Sequence, residues 1–201
     1  SFLAEDFLRE QNFFEATQVL ITSASSKTSI ALAHCLRANS TMRVIGLTSD
    51  ANVDFVNSIG EYHDVVTYSE ISTLNALVPT VVVDMAGNPE VLASVHAHFG
   101  ESLKYSCSIG ATHWDQTSHR VDISGPKPQF FFAPSQLSKR GKEWGREDLN
   151  NRLETALNTF IEGSKEWLRI EHLRGADAVS ETYSQLVAGK MPPEIGNILS
   201  F

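Results

Sequence analysis

Apolar and polar positions along the chain follow two alternating rhythms. Short runs rich in Val and Ile occupy residues 18–22, 42–47, 65–68, 80–84 and 103–109, with the length and β-branched character of strands. Between the first two, Ile30, Ala33, Cys35, Leu36 and Ala38 recur at helical spacing, and Asn39 makes a stop. Asp50 is placed to cap a helix through Val53, Val56 and Ile59 that ends at Gly60. Asn88 is placed to cap another, with Pro89 at its first position, Val91, Leu92 and Val95 on its buried face and Gly100 at its end. Strand and helix patterns in strict alternation predict an α/β fold, a parallel sheet covered by helices.

After residue 109 the rhythm stops: ATHWDQTSHRVDISGPKPQ has no period and reads as a long loop. An aromatic strand is then expected over 129–133, a helix opened by Pro134, a long amphipathic helix over 146–161, a strand over 167–172 and a helix over 176–188. Residues 196–201 could return to the sheet.

The stretch QVLITSASSKTSIALAHCL raises a chemical question. A strand that turns sharply into a helix aims the helix's unpaired N–H groups at one spot and favours an anion there. Such turns usually carry glycines, yet here Ser23, Ser26 and Ser29 stand at the regular spacing, with Lys27 between them. Serine adds a β-carbon that hinders close approach, and a hydroxyl that can cap the helix or donate to a phosphate oxygen. The alternative is that these serines are helix caps and nothing more. A P-loop is excluded, because Ile21 and Ser26 occupy the positions where that motif needs glycine.

Composition narrows the function classes. With 201 residues, 42% hydrophobic and 20% charged, one domain of ordinary globular character is expected, spanning residues 1–201. A net charge of -8 argues against nucleic acid, and Lys139, Arg140 and Lys142 read as a solvated helix end. No apolar run approaches the ~20 residues of a membrane helix. Cys35 and Cys107 have no ligand or disulfide spacing, fit a reducing, cytoplasmic setting, and read as core residues.

The motifs SASSKTS, VIGLTS, VDMAGN, YSCSIGATHW and QFFFAP, in that order, resemble the cofactor-binding half of the medium-chain dehydrogenase/reductases. Within that superfamily the chain resembles the zinc-independent, quinone-oxidoreductase-like branch, and most closely a divergent group without the glycine fingerprint. The resemblance implies a doubly wound, Rossmann-like parallel sheet flanked by helices. It implies a fragment that lacks the N-terminal substrate domain. Ser23, Ser26 and Ser29 fall on the three glycine positions, so Ser23, Ala24, Ser25, Ser26, Lys27 and Thr28 would form the dinucleotide turn. Thr48, Ser49 and Asn52 fall beside the adenosine ribose or its 2′-phosphate, although many NADPH-using relatives have Lys at the position of Asn52. Asp50 would bind a ribose hydroxyl or only cap a helix. Met85, Ala86 and Gly87 fall at the nicotinamide ribose, and Ile109, Gly110 and Ala111 beside the nicotinamide ring. Phe131 and Phe132 fall on a strand that pairs across a dimer in relatives, or else pack in the core, so a homodimer through the strand from Phe130 to Phe132 is one expectation.

Thr48 and Ser49 can donate to a phosphate with Lys27 nearby, which favours NADP(H) over NAD(H). Hydride transfer asks the protein to hold the cofactor against a small-molecule substrate and exclude water. His113, in the long loop with Asp115, is the candidate to protonate the substrate. Tyr105 and Cys107, in the strand before it, are expected to pack. No zinc ligand set and no nucleophile elbow can be assembled. Two readings remain. One is an oxidoreductase domain whose full-length form reduces a carbonyl or an activated double bond, and the other is an interaction domain that has lost its cofactor.

Overall fold

The computed structural model describes residues 1–109 and 123–201. Its described residues form two compact units, Ser1–Leu157 and Asn158–Phe201. The first opens with helix α1 (Phe2–Glu10) and runs through β1 (Gln18–Ile21), α2 (Lys27–Asn39), β2 (Arg43–Thr48), α3 (Val53–Ser58) and β3 (Asp64–Thr67). It continues through β4 (Thr80–Asp84), α4 (Pro89–Phe99), β5 (Leu103–Ser108), β6 (Gln129–Phe130), α5 (Ala133–Glu143) and the start of α6 (Arg146–Ser164). The second contains the end of α6, β7 (Arg169–Arg174), α7 (Ala176–Val187) and β8 (Ile195–Ser200).

The main sheet is parallel with order β3-β2-β1-β4-β5-β6. This is the doubly wound, Rossmann-like order, in which the chain reverses its direction of travel between β1 and β4. Both faces of the sheet are covered at its centre, which is why β1, β2 and β4 read as nearly unbroken apolar runs. Val19, Ile21, Val44, Val81 and Val83 pack with Ala4 and Leu8 of α1 and Leu32, Ala33 and Leu36 of α2. The alternate residues Leu20, Ile45, Leu47 and Val82 pack with Leu92, Val95 and Phe99 of α4. Tyr105 and Cys107 are buried in the first of these layers. Cys35 and Cys107 are free and buried, and burial pushes their thiols up, to about 11 and about 12.

Three local expectations are corrected. Asp50 caps nothing: it lies in a short 3₁₀ turn ahead of α3, whose N-cap is Asn52 and makes no side-chain cap bond. Asn88 does cap α4, accepting from the N–H groups of Glu90 and Val91. Residues 196–201 do not return to the main sheet. β8 pairs in parallel with β7, because the β7-α7-β8 crossover makes those two strands neighbours. Nor is the basic run of α5 simply solvated. Arg140 is buried and reaches Asp6 of α1 at 2.6 Å, and Gln136 donates to the same carboxylate at 2.6 Å.

Backbone strain concentrates just before β1. Asn12, Phe13, Phe14 and Glu15 all have positive φ, between 49° and 63°. Consecutive left-handed residues other than Gly are costly, at about 1–2 kcal/mol each. Packing opposes the strain: Phe13 is buried, and Phe14 stacks on Tyr105 with ring centroids 3.9 Å apart.

His96 of α4 is fully buried, with one ring nitrogen donating to the Ser124 carbonyl at 2.7 Å and the other accepting from the Ser106 hydroxyl at 2.9 Å. Burial pushes its imidazole below the ordinary value of 6.5. Below about pH 6.5 the unfolded chain therefore takes up a proton that the folded chain resists, and stability falls as pH falls through that window. Urea unfolding at pH 7.5 and 5.5 is expected to show lower stability at pH 5.5, by an amount that a His96→Gln variant lacks. An equal pH dependence in the two proteins would remove His96 as its cause.

Candidate functional site

The serine turn joins the carboxyl end of β1 to α2 at the point where the sheet reverses, the place where ligands of open α/β sheets bind. Its three serines have different tasks. Ser23 takes φ +51°, a backbone conformation that glycine adopts freely and serine only at a cost. Its N–H donates to the Tyr68 hydroxyl at 3.1 Å. Ser26 is the N-cap of α2, its side chain accepting from the N–H of Ser29 at 3.2 Å. Ser29 is fully buried: its hydroxyl donates to the Thr22 carbonyl at 3.0 Å and accepts from the Ser26 hydroxyl at 2.8 Å. The third serine thus ties strand to helix and faces no ligand. Ser25 and Ser26 are half-buried, Lys27 and Thr28 are exposed, and Ala24 is fully buried.

Ala24 is the turn's anchor. Its N–H donates to the Leu47 carbonyl at 3.0 Å and its carbonyl accepts from the Tyr62 hydroxyl at 2.9 Å. Gly46 of β2 lies directly beneath. A Cβ there would stand 2.9 Å from both Ala24 Cβ and Tyr62 Cδ1. Glycine inside an otherwise apolar strand is the usual sign of such a close approach; this one lies within VIGLTS, where the resemblance assigns it no role.

After β2, where the resemblance puts the adenosine ribose, Thr48 is buried, so of the two hydroxyls expected there only Ser49 is half-exposed. Asn52 donates to the hydroxyls of Ser25 and Ser49, each at 3.2 Å, and so bridges the serine turn and the turn after β2. Asp50 is exposed beside it.

On the other side of the reversal, Met85 is half-buried while Ala86 and Gly87 are exposed, with Gly87 at φ +64°. Ile109 packs partly into the core and donates its N–H to the Asp84 carbonyl at 2.9 Å. Gly110, Ala111, His113 and Asp115 lie outside the described residues. Asp84 and Thr22 escaped the sequence reading, although both end apolar strands. The Thr22 hydroxyl donates to Asp84 Oδ1 at 2.7 Å, deep at the base of the two turns. Ser108 closes β5 beside Asp84, and its buried hydroxyl has no partner among the described residues. No three His, Cys, Asp or Glu side chains converge as a metal site among the described residues. Among those residues, too, no helix is long and apolar enough to cross a membrane.

With the sheet order and the turns in place, comparison with known proteins defines the fold: the chain shares its doubly wound, Rossmann-like architecture with solved oxidoreductase structures. The chain belongs to the family described as "Protein of unknown function (DUF2855)", whose model matches residues 1–192. It is similar to the yhdH oxidoreductase from Salmonella enterica in complex with NADP, at 14% identity and a TM-score of 0.56, covering 100% of this chain and 60% of that one. CurA from Vibrio vulnificus in complex with NADPH is also similar, at 14% identity and a TM-score of 0.61, covering 98% of this chain and 61% of that one. The protein yhfP of Bacillus subtilis with NAD bound matches at 14% identity and a TM-score of 0.55, with 100% and 60% covered. The chain thus spans about 60% of the length of these structures. No curated protein matches the sequence.

Proposed function

We propose that this chain is the nicotinamide-dinucleotide-binding half of a zinc-independent oxidoreductase that reduces a carbonyl or an activated double bond of a small molecule, with NADP(H) favoured over NAD(H). The observation that carries the reading is the serine turn itself. Ser23 adopts the left-handed backbone of the glycine it replaces, Ser26 caps α2, and the turn opens at the point where the sheet reverses. The residues fit the group: Ser25, Ser26 and Lys27 would meet the diphosphate, Ser49 and Asn52 the adenosine ribose, and Ala86 and Gly87 the nicotinamide ribose. When bound, the nicotinamide supplies the hydride. The protein orients it and excludes water, and His113 is proposed to deliver the proton. NADP-bound and NAD-bound structures both occur among the similar folds, and Lys27 with the Ser49 hydroxyl supports the preference for the phosphorylated form. The same reading has the protein acting in the cytoplasm, where both buried thiols stay reduced, and pairing through the stretch from Phe130 to Phe132, whose first and last rings are each 56% exposed.

One observation favours the second reading, an interaction domain without cofactor: the Asn52 bridge closes the serine turn onto the turn after β2. Calorimetric titration with NADPH and NADH separates the two. Saturable binding, weakened at least about tenfold by Lys27→Ala, is expected from the oxidoreductase reading, since loss of one charge-assisted bond costs about 1.5–3 kcal/mol. Absence of binding by either nucleotide, at two temperatures, would remove the oxidoreductase reading and leave the interaction domain.

A further inference from the structure

The two turns of the candidate site are wired together by one buried pair. Thr22 is fully buried and Asp84 is 3% exposed. The Thr22 hydroxyl gives its proton to Asp84 Oδ1 at 2.7 Å, which leaves its oxygen to accept from the N–H groups of Met85 at 2.9 Å and Ala86 at 3.1 Å. Asp84 Oδ1 accepts in addition from the N–H groups of Ala86 at 3.1 Å and Gly87 at 3.2 Å. Three successive N–H groups of the turn after β4 are thus turned inward onto the pair, and the outer surface of Ala86 and Gly87 is left toward the site. Thr22 also reaches the other turn, because its carbonyl accepts the Ser29 hydroxyl and its neighbour is the left-handed Ser23.

A serine turn and a β4 turn that belong to one ligand must be held at a fixed separation. Strand pairing alone does not supply this, since both turns begin where pairing ends. Thr22 and Asp84 supply it with a network that has little freedom: the threonine hydroxyl uses its single proton and both acceptor positions, and the aspartate oxygen receives three bonds. We infer that Thr22 and Asp84 are positioning residues that set the Met85, Ala86 and Gly87 turn against the serine turn, so that binding of the ligand's nicotinamide half depends on them and binding of its adenosine half does not. This rests on the dinucleotide reading above.

The test compares whole cofactor with fragment by calorimetry on the full chain. NADPH is paired with 2′,5′-ADP and NADH with 5′-ADP, on the native protein, Thr22→Val, Thr22→Ser and Asp84→Asn. Valine keeps the volume but removes the acceptor of the Met85 N–H, one of the two acceptors of the Ala86 N–H, and the hydroxyl that donates to Asp84 Oδ1. It is expected to weaken the dinucleotide about tenfold while leaving the fragment within about twofold. Serine restores the hydroxyl and is expected to restore the affinity. Asparagine keeps an acceptor oxygen but gives up the charge, so a smaller shift in the same direction, about threefold, is expected. The Asp84→Asn ratio also decides the matter if Thr22→Val does not fold. Equal losses for cofactor and fragment, or no loss for either, would overturn the inference while the dinucleotide reading stands. A native protein that binds none of the four nucleotides would remove both.

Discussion

Asp6→Ala is expected to lower the unfolding free energy by about 3–5 kcal/mol, the usual cost of removing one partner from a buried ion pair. Asp6 is fully buried on α1, where it receives Arg140 and Gln136 of α5 at 2.6 Å each and Arg9 at 3.3 Å. With the carboxylate gone, the half-charged clasp fails in a particular way: Arg140, whose side chain is 11% exposed, loses its central acceptor and must be resolvated or displaced. Part of the guanidinium stays occupied, by Glu143 and by Glu10 at 3.3 Å and through its face on the Trp144 ring 4.8 Å away, which keeps the loss toward the lower end of the range. Urea unfolding followed by tryptophan fluorescence measures it. A further change of Arg140→Met in the same protein should recover stability, because the stranded charge is then absent. A loss below 1 kcal/mol for Asp6→Ala would show that the clasp is a surface pair in effect.

Gly46→Ala carries the second large effect, and it reaches the candidate site. The new methyl would meet Ala24 Cβ and Tyr62 Cδ1 at 2.9 Å, closer than such atoms pack, in a buried strand with no room to yield. Overpacking of this kind costs about 1–3 kcal/mol. The functional consequence is more specific. Ala24 is fastened to the Leu47 carbonyl and to Tyr62, so pressure from below is relieved by lifting the serine turn or by swinging the tyrosine away. Either movement breaks the Tyr62–Ala24 hydrogen bond. Dinucleotide affinity, measured by calorimetry on the folded fraction, should fall together with the melting temperature. Unchanged affinity in a folded Gly46→Ala protein would mean that the turn's height above β2 does not matter to the ligand.

Much of the fold is legible in the chain. The strands β1, β2 and β4 lie where the Val- and Ile-rich runs are, since a strand buried on both faces has few polar positions to blur its pattern, and β5 follows where Leu103, Tyr105 and Cys107 alternate with polar residues. Asn88, Pro89 and Gly100 bound α4 as their backbone preferences require. Asp50 misled because a side chain suited to capping is also at home in a 3₁₀ turn, and the backbone there turns one step too early for it to reach a helical N–H. Arg140 misled because a run of basic residues on a helix carries no mark of which one meets an acidic partner more than a hundred residues away.

The serine turn shows the same division within one motif. The change from strand to helix pattern and the even spacing of the serines located it, and Ser23 takes a left-handed backbone that glycine would adopt freely. Local sequence could not tell that Ser29 is spent on the Thr22 carbonyl, that Ala24 rests on Gly46, or that Asn52 bridges Ser25 and Ser49.

By itself the sequence determined the alternation of strand and helix, the two-sided burial of the sheet and the location of the turn after β1, because these follow from periodicity and backbone preference over a few neighbouring residues. Tertiary structure alone decided which polar side chains are consumed inside the protein and which are left toward the site. Thr22 and Asp84, Asp6 and Arg140, and Gly46 and Ala24 are far apart along the chain, and their chemistry exists only once the sheet has brought them within a hydrogen bond or a van der Waals radius of each other.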